Sequence, residues 1–139
     1  MQGIGRSRGG LSTKVHLVVD ALGLPLTFAI TEGQRHDIQP AKELVAKAAS
    51  VCLLADKAYD SDDLRNALAA QGCSAVIPSK TSRSQKLPCD KELYKARSEV
   101  ECTLNLLKQA RRFATRYEKT LRNYAAVVAV GCALLWLRI

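Results

Sequence analysis

Asp56 stands where a side chain could act on a charged substrate. It directly follows Val51–Ala55, an apolar run of strand length, and ligands commonly bind at the carboxyl ends of strands in open α/β sheets. The alternative is an aspartate that caps a local turn. Because Asp60 or Ser61 is placed to cap the helix that follows, we expect those residues to fill the capping role and Asp56 to be a functional carboxylate.

A second carboxylate, Glu101, lies in a long predicted helix. At about 100° per residue, it falls on one stripe with Tyr94, Arg97 and Lys108. The neighbouring stripe is apolar and predicted to be buried; its members are Leu93, Ala96, Val100, Leu104 and Leu107. One interpretation is an ordinary surface ladder in which Arg97 and Glu101 form an i,i+4 ion pair. The other is a cleft edge, where Glu101 binds a metal ion and Arg97 and Lys108 contact phosphates.

Other polar residues are better explained by structure than by chemistry. His36 lies in a loop without a nearby nucleophile arrangement, so we expect it to order that loop. His16 alternates with apolar residues along a strand, and Asp20 begins a D-x-x-G turn that an aspartate commonly caps. The five cysteines contain no CxxC pair and are predicted to be reduced thiols.

The elements that must position these residues follow from hydrophobic periodicity and turn residues. Residues 1–11 are rich in glycine and arginine and are predicted to be a linker, and 79–88 is a second linker-like stretch. Strands and helices then alternate, which predicts an α/β fold with helices packed on a mixed sheet. The predicted elements are a hairpin at Ser12–Thr31, strands at Val51–Ala55 and Ala75–Pro78, and helices at Ile38–Ala49, Asp62–Gln71, Lys91–Ala110 and Ala125–Leu137. Gly72 should stop its helix, and the indole of Trp136 needs a hydrogen-bond acceptor.

The positive charge is concentrated in one segment of the chain. The formal net charge is +8, and residues 80–122 carry 12 Lys and Arg against 5 Asp and Glu. Such an excess indicates a polyanionic partner, most often nucleic acid. The chain has no signal-peptide pattern and its longest apolar run has 13 residues, fewer than the ~20 that span a bilayer. We therefore expect no membrane partner and a cytoplasmic, nucleoid-associated protein.

The spacing Tyr94-x₂-Arg97-x₃-Glu101-x₆-Lys108 resembles the signature of DDE transposases of bacterial insertion sequences. Further blocks of the chain are similar to that family over nearly its whole length: Gly5–His16, Gly33–Asp37, Ala55–Asp60, Leu107–Arg112 and Ala114–Lys119. Together these blocks are more specific than any single motif.

The resemblance implies an RNase H-like fold and a triad of two aspartates and one glutamate that binds Mg²⁺ or Mn²⁺. It implies cleavage and joining of DNA at the ends of the element, with the terminal repeats and target DNA as partners. Asp56 matches the second catalytic aspartate and Glu101 the catalytic glutamate, so both are predicted metal ligands. The predicted DNA contacts are Tyr94, Arg97, Lys108, Arg111, Arg112 and Arg116.

The family's first aspartate precedes the Gly5–His16 block, and only Met1–Ile4 lie upstream of that block in this sequence. We therefore expect residues 12–139 to form a partial RNase H-like catalytic domain that lacks its first strand and is inactive alone. It would be a C-terminal fragment, a truncated element or the second frame of a split transposase, and would self-associate or pair with an upstream transposase segment. The alternative is a non-catalytic DNA-binding remnant or regulator of transposition.

Overall fold

The protein is described by a computed structural model that covers residues 5–7, 10–33, 36–109 and 120–138. It contains helices and small sheets, which confirms the predicted α/β class. The chain divides into two compact units. We call residues 1–35 with 99–139 the hairpin unit and residues 36–98 the crossover unit, and we describe each by itself.

Three antiparallel strands build the sheet of the hairpin unit: β1 (Gly5–Ser7), β2 (Gly10–Val19) and β3 (Pro25–Glu32), in that order. The turn between β2 and β3 is fixed by Asp20, whose Oδ1 accepts hydrogen bonds from the backbone N–H groups of Leu22 and Leu24, both at 2.9 Å. Gly23 has a φ of 82°, a conformation that favours glycine. The predicted hairpin and the turn-capping role of Asp20 are confirmed.

Two helices of the hairpin unit, α4 (Ser98–Lys108) and α5 (Leu121–Trp136), contribute its core. Their buried residues pack with strand residues Val15, Leu17, Phe28 and Ile30; those helical residues are Leu107, Tyr124, Val128 and Cys132. A Cβ on Gly131 would come within 3.0 Å of Leu107 Cδ2, so glycine permits close packing at that point.

His16 has the structural role that its position predicts. It is buried, and its Nε2 lies 2.9 Å from Thr31 Oγ1 on the neighbouring strand. The indole of Trp136 also has its expected acceptor, because Nε1 donates to the carbonyl oxygen of Pro25 at 2.8 Å. This bond ties the end of α5 to the start of β3.

The crossover unit is built around a strand, helix, strand motif. α1 (Ile38–Lys47) precedes β4 (Cys52–Leu54), α2 (Asp62–Ala70) and β5 (Ser74–Val76), and β4 and β5 pair in parallel. Both helices contribute to one core, whose buried members are Ala41, Val45, Leu64, Leu68, Cys73 and Ile77.

Gly72 ends helix α2 as its position predicts. It has a φ of 71°, and its N–H donates to the carbonyl of Ala69 at 3.0 Å. The N–H of Cys73 donates to the carbonyl of Leu68 at 2.9 Å. These two bonds form a Schellman motif, which satisfies carbonyls that the end of a helix leaves without partners.

Several predicted elements differ from the structure. The described strands form two sheets, the antiparallel β1-β2-β3 and the parallel β4-β5, rather than one mixed sheet. Residues 5–7, predicted as linker, pair with β2 because their backbone continues the antiparallel ladder. The assignment of 12–139 to one partial catalytic domain stays a prediction.

The helix predicted from Lys91 to Ala110 is interrupted. It consists of α3 (Lys91–Tyr94), a 3₁₀ turn (Lys95–Arg97) and then α4. A 3₁₀ turn has about three residues per turn, so the predicted buried stripe does not continue through it. Leu93 is 50% exposed and Ala96 is exposed, while Leu107 on the same predicted stripe is buried. Ala110 lies outside the described residues.

All five cysteines are free thiols, as predicted. In the part of the chain that the structure describes, every helix is too short or too polar to cross a membrane.

Replacing Trp136 with phenylalanine tests the bond between α5 and β3. We expect Trp136→Phe to lower the free energy of unfolding by about 1 kcal/mol, because the Pro25 carbonyl loses a donor. Urea unfolding followed by circular dichroism measures the change. Leu137→Ala is the control, since Leu137 is 79% exposed, and it should change stability by less than about 0.5 kcal/mol. Equal stability of Trp136→Phe and the unmodified chain would contradict the assigned role.

Candidate functional site

Asp56 lies just beyond the carboxyl end of β4 and begins a 3₁₀ turn formed by Lys57–Tyr59. Its Oδ1 accepts a hydrogen bond from the N–H of Ala58 at 3.0 Å. Asp56 is therefore a turn-capping residue after all. Its side chain is half-buried, and its other oxygen accepts no hydrogen bond from any residue that the structure describes. A carboxylate oxygen with free lone pairs remains available to a cation.

The capping role predicted for Asp60 or Ser61 is wrong. Ser61 occupies the N-cap position of α2 without a side-chain hydrogen bond. Asp60 is drawn into an ion network instead, because its carboxylate is buried, with 1% of the side chain exposed. A buried charge requires charged or polar partners, which a helix cap alone would not supply.

Four donors surround the Asp60 carboxylate. Arg65 Nε and Arg83 Nη2 donate to Oδ1 at 2.9 and 2.8 Å, and Arg83 Nε and the N–H of Lys80 donate to Oδ2 at 2.9 and 2.8 Å. Arg83 thus binds both oxygens. Its third nitrogen donates to Asp62 at 2.9 Å. Arg65 also donates to the carbonyl of Ile77 at 2.8 Å, so the network joins α2 to the chain that follows β5.

These contacts determine the ionisation of the network. The hydrogen bond from Arg83 is the largest influence on Asp60, and it holds the pKa of that carboxyl well below its usual range, with the Lys80 N–H and Arg65 acting in the same direction. The bonds to Asp60 and Asp62 raise the pKa of Arg83 in turn. The network is ionised at neutral pH.

Tyr59 lies near two carboxylates of the crossover unit. Burial is the main cause that raises its pKa to about 12, and the charges of Asp37 and Asp56 contribute. The phenol therefore stays protonated at neutral pH. Asp37 is the last residue of the Gly33–Asp37 block. Its charge and that of Asp56 both raise the pKa of Tyr59. His36, which precedes Asp37 in the chain, is exposed. Its predicted role in ordering the loop stays a prediction.

The predicted stripe of Tyr94, Arg97, Glu101 and Lys108 falls on several elements. Tyr94 ends α3 and Arg97 ends the 3₁₀ turn, and the guanidinium lies over the Tyr94 ring at 5.4 Å from its centroid. Both belong to the crossover unit, as does Asp56. Glu101 and Lys108 are exposed residues of α4 in the hairpin unit.

Both predicted metal ligands, Asp56 and Glu101, lie among the described residues, as do three of the predicted DNA contacts, Tyr94, Arg97 and Lys108. Within the described ranges, no group of three His, Cys, Asp or Glu side chains is arranged to hold a metal ion. Asp56 fits a hard cation by its uncommitted oxygen, because Mg²⁺ and Mn²⁺ prefer oxygen ligands. Arg111, Arg112 and Arg116 lie outside the described residues.

The network around Asp60 has no distinctive pattern in the amino-acid sequence. The one local signal is the spacing of Asp60 and Arg65, which does not indicate a buried ion pair by itself. Arg83 lies 23 positions from Asp60, and no periodicity relates two residues at that separation. Only the return of the chain after β5 brings them together.

Comparisons with known proteins agree on one family. The model of the transposase DDE domain matches residues 2–136. The chain is 42% identical over 130 residues to a Brucella ovis protein that carries the name of a transposase for insertion sequence element IS6501, covering 92% of this chain and all of that one. It is 28% identical to a Burkholderia cepacia protein named likewise for element IS402, covering 94% of this chain and 64% of that one. No solved structure matches the chain significantly.

Substituting Asp60 with asparagine tests the network and its pH dependence. The pKa of Asp60 is lower in the folded chain than its ordinary value of about 3.9. The ionised carboxylate therefore stabilises the fold above that ordinary value, and the stabilisation is lost as the pH falls through the folded pKa. We expect Asp60→Asn to lower the unfolding free energy by about 3 kcal/mol at neutral pH. The difference from the unmodified chain should shrink below about pH 4.

Urea unfolding at a series of pH values measures this difference. Asp63→Asn is the matched control, because that side chain is 73% exposed and pairs only with the partly exposed Lys42 among the described residues. It should change stability by less than about 1 kcal/mol. A pH-independent effect of Asp60→Asn would contradict an ionised network.

Proposed function

This chain belongs to the DDE transposase family of insertion sequences, and we propose that it supplies a catalytic core for metal-dependent cleavage and joining of DNA at the ends of its element. The observation that carries the proposal is the position of Asp56. It follows a parallel strand, caps its own turn with one oxygen and keeps the second oxygen uncommitted among the described residues. The family match over residues 2–136 supports a role in DNA cleavage and joining for the chain, and we propose that this carboxylate takes part in it.

Asp56 and Glu101 would hold the metal ion, Mg²⁺ or Mn²⁺, within an RNase H-like arrangement. The bound metal supplies activation of the attacking hydroxyl and stabilisation of the leaving oxygen in an in-line phosphoryl transfer. The chain's own part is to fix the carboxylates. The Ala58 N–H orients Asp56 through Oδ1, and the 3₁₀ turn holds that N–H in place.

By the resemblance, residues 1–139 would carry two of the family's three carboxylates, Asp56 and Glu101. We propose that these residues alone do not cleave DNA and that an upstream transposase segment supplies the third carboxylate. Self-association, or pairing with that segment, would then accompany activity. Two carboxylates carry less negative charge than three and bind divalent ions more weakly, so the restored ligand set should also raise metal affinity.

The DNA contacts we propose are basic or aromatic residues that the signature and the basic segment contribute. Tyr94 and Arg97 already form one contact pair, in which the ring packs against the guanidinium. The others are Lys108, Arg111, Arg112 and Arg116.

Replacing each carboxylate tests the catalytic proposal. In a protein that includes the upstream segment, Asp56→Ala and Glu101→Ala should each abolish Mg²⁺-dependent cleavage of an element-end duplex. DNA binding should change only a few fold, because removing a carboxylate does not weaken attraction to phosphate. Asp63→Ala, an exposed carboxylate of α2, should leave cleavage intact. Cleavage that survives Asp56→Ala would remove Asp56 from the site, and DNA binding without cleavage in every variant would favour a regulator.

The salt dependence of DNA binding tests the arginines. Replacing Arg111 and Arg112 together with glutamine should reduce the slope of log K against log salt by about 1.8, or about 0.9 for each lost phosphate contact. Sequence preference should change little, because phosphate contacts carry no base information. Filter binding at several salt concentrations measures the slope. An unchanged slope would exclude these arginines from the interface.

A further inference from the structure

The segment Ser79–Pro88, whose composition predicts a linker, is held in a defined conformation by hydrogen bonds. We call it the lysine loop. Its ends are joined by Ser79 and Leu87, since the N–H of Leu87 donates to Ser79 Oγ at 2.8 Å. Inside the loop, Lys86 Nζ donates to the carbonyl of Thr81 at 3.0 Å and also to the carbonyl of Lys80. A segment whose composition suggests flexibility is therefore held by hydrogen bonds between its two ends and within the loop.

The buried Asp60 carboxylate fastens this loop to the body of the crossover unit. Lys80 contributes its N–H to Oδ2, and Arg83 binds both carboxylate oxygens. Arg83 is therefore turned toward the protein, and its charge is matched by Asp60 and Asp62. The bidentate geometry fixes both the position and the orientation of the loop.

The exposed surface of the loop carries positive charge and hydrogen-bond donors. The segment contains no acidic residue. Lys80 and Lys86 form no ion pair with any described carboxylate. Lys86 is exposed and donates to uncharged loop carbonyls, so no carboxylate that the structure describes neutralises either positive charge. Its exposed polar side chains, besides Lys86, are Thr81, Ser82, Ser84 and Gln85. Ammonium and hydroxyl groups are the donors that proteins use toward phosphate oxygens.

We propose that the lysine loop binds the phosphate backbone of duplex DNA and that Asp60 and Arg83 are its positioning residues. The proposal rests on the proposed function only in that the chain acts on DNA. The loop contains no Phe, Tyr or Trp, and binding of single strands depends on stacking against such rings. The contacts of Asp60 and Ser79 already order the loop in the folded protein. The loop therefore loses little conformational entropy when DNA binds.

The contact is tested by removing the two lysine charges. We expect Lys80→Gln with Lys86→Gln to reduce the slope of log K against log salt by about 1.8, measured with a short duplex of arbitrary sequence. Glutamine keeps a donor for the loop carbonyls, so the unfolding midpoint should stay the same. The control is Lys47→Gln, which removes one exposed charge from helix α1 of the same unit. Its slope should equal that of the unmodified chain.

Arg83→Lys tests positioning separately from charge. Lysine keeps the positive charge but cannot bind both oxygens of Asp60, so affinity for the duplex should fall several-fold at fixed salt. A role in stability alone would lower the unfolding midpoint and leave the affinity of the folded protein unchanged. Lysine acetylation in the unmodified chain gives a readout that needs no variant. Duplex DNA should protect Lys80 and Lys86 and leave Lys47 accessible.

The outcomes separate the loop from the transposase function. If the unmodified chain binds duplex DNA but the loop variant keeps its slope and DNA does not protect the two lysines, the lysine loop is not a DNA contact and the proposed function stands. If the chain binds no DNA at low salt, the proposed function fails as well. Protection by an acidic polypeptide but not by duplex DNA would overturn the loop's assignment to DNA.

Discussion

The crossover unit depends on one carboxylate that is removed from water. Ionised Asp60 has 1% of its side chain exposed, and desolvation of such an ion costs several kcal/mol unless good partners replace water. Its four donors come from Arg65, Lys80 and Arg83. The chain after β5 must therefore return to the start of α2, and Arg65 secures that return through the carbonyl of Ile77. The path of a long irregular segment follows from the hydrogen bonds that one buried charge requires.

Two aspartates four positions apart have opposite environments. Asp60 uses both oxygens within the protein, while Asp56 uses one for the turn that separates them and keeps the other uncommitted among the described residues. The turn connects them, because the N–H of Asp60 donates to the carbonyl of Lys57 at 3.1 Å. Anchoring Asp60 therefore also fixes the end of the turn that Asp56 begins. Because all hydrogen-bond partners of Asp60 are within the protein, the end of the turn is rigid. The uncommitted oxygen of Asp56 is then held in one position before any ligand binds.

Local signals in the sequence predicted local structure well. Asp20 and Gly72 have the turn and capping roles that their types indicate, because each acts within a few residues of itself. The Trp136 indole was expected to need an acceptor. The acceptor is the carbonyl of Pro25, 111 positions away in the sequence, and only tertiary packing brings the two together. The same limit applies to Arg83. Leu93 was misassigned because helical periodicity assumes an uninterrupted helix, and the 3₁₀ turn at Lys95–Arg97 breaks that assumption.

The structure also changes how the basic segment is understood. Counting residues gives an excess of 12 cations over 5 anions between positions 80 and 122, but the formal count treats all cations as equal. Arg83 is matched by Asp60 and Asp62, and Lys95 pairs with Glu92 at 3.0 Å. Attraction to a polyanion depends on the charges that can release its counterions. A cation held by an internal carboxylate adds little to that attraction, yet it decides where the neighbouring lysines stand. The pair of Arg83 with the buried Asp60 fixes the backbone that carries Lys80 and Lys86, whereas the strength of the proposed attraction to DNA would depend on cations that no carboxylate neutralises.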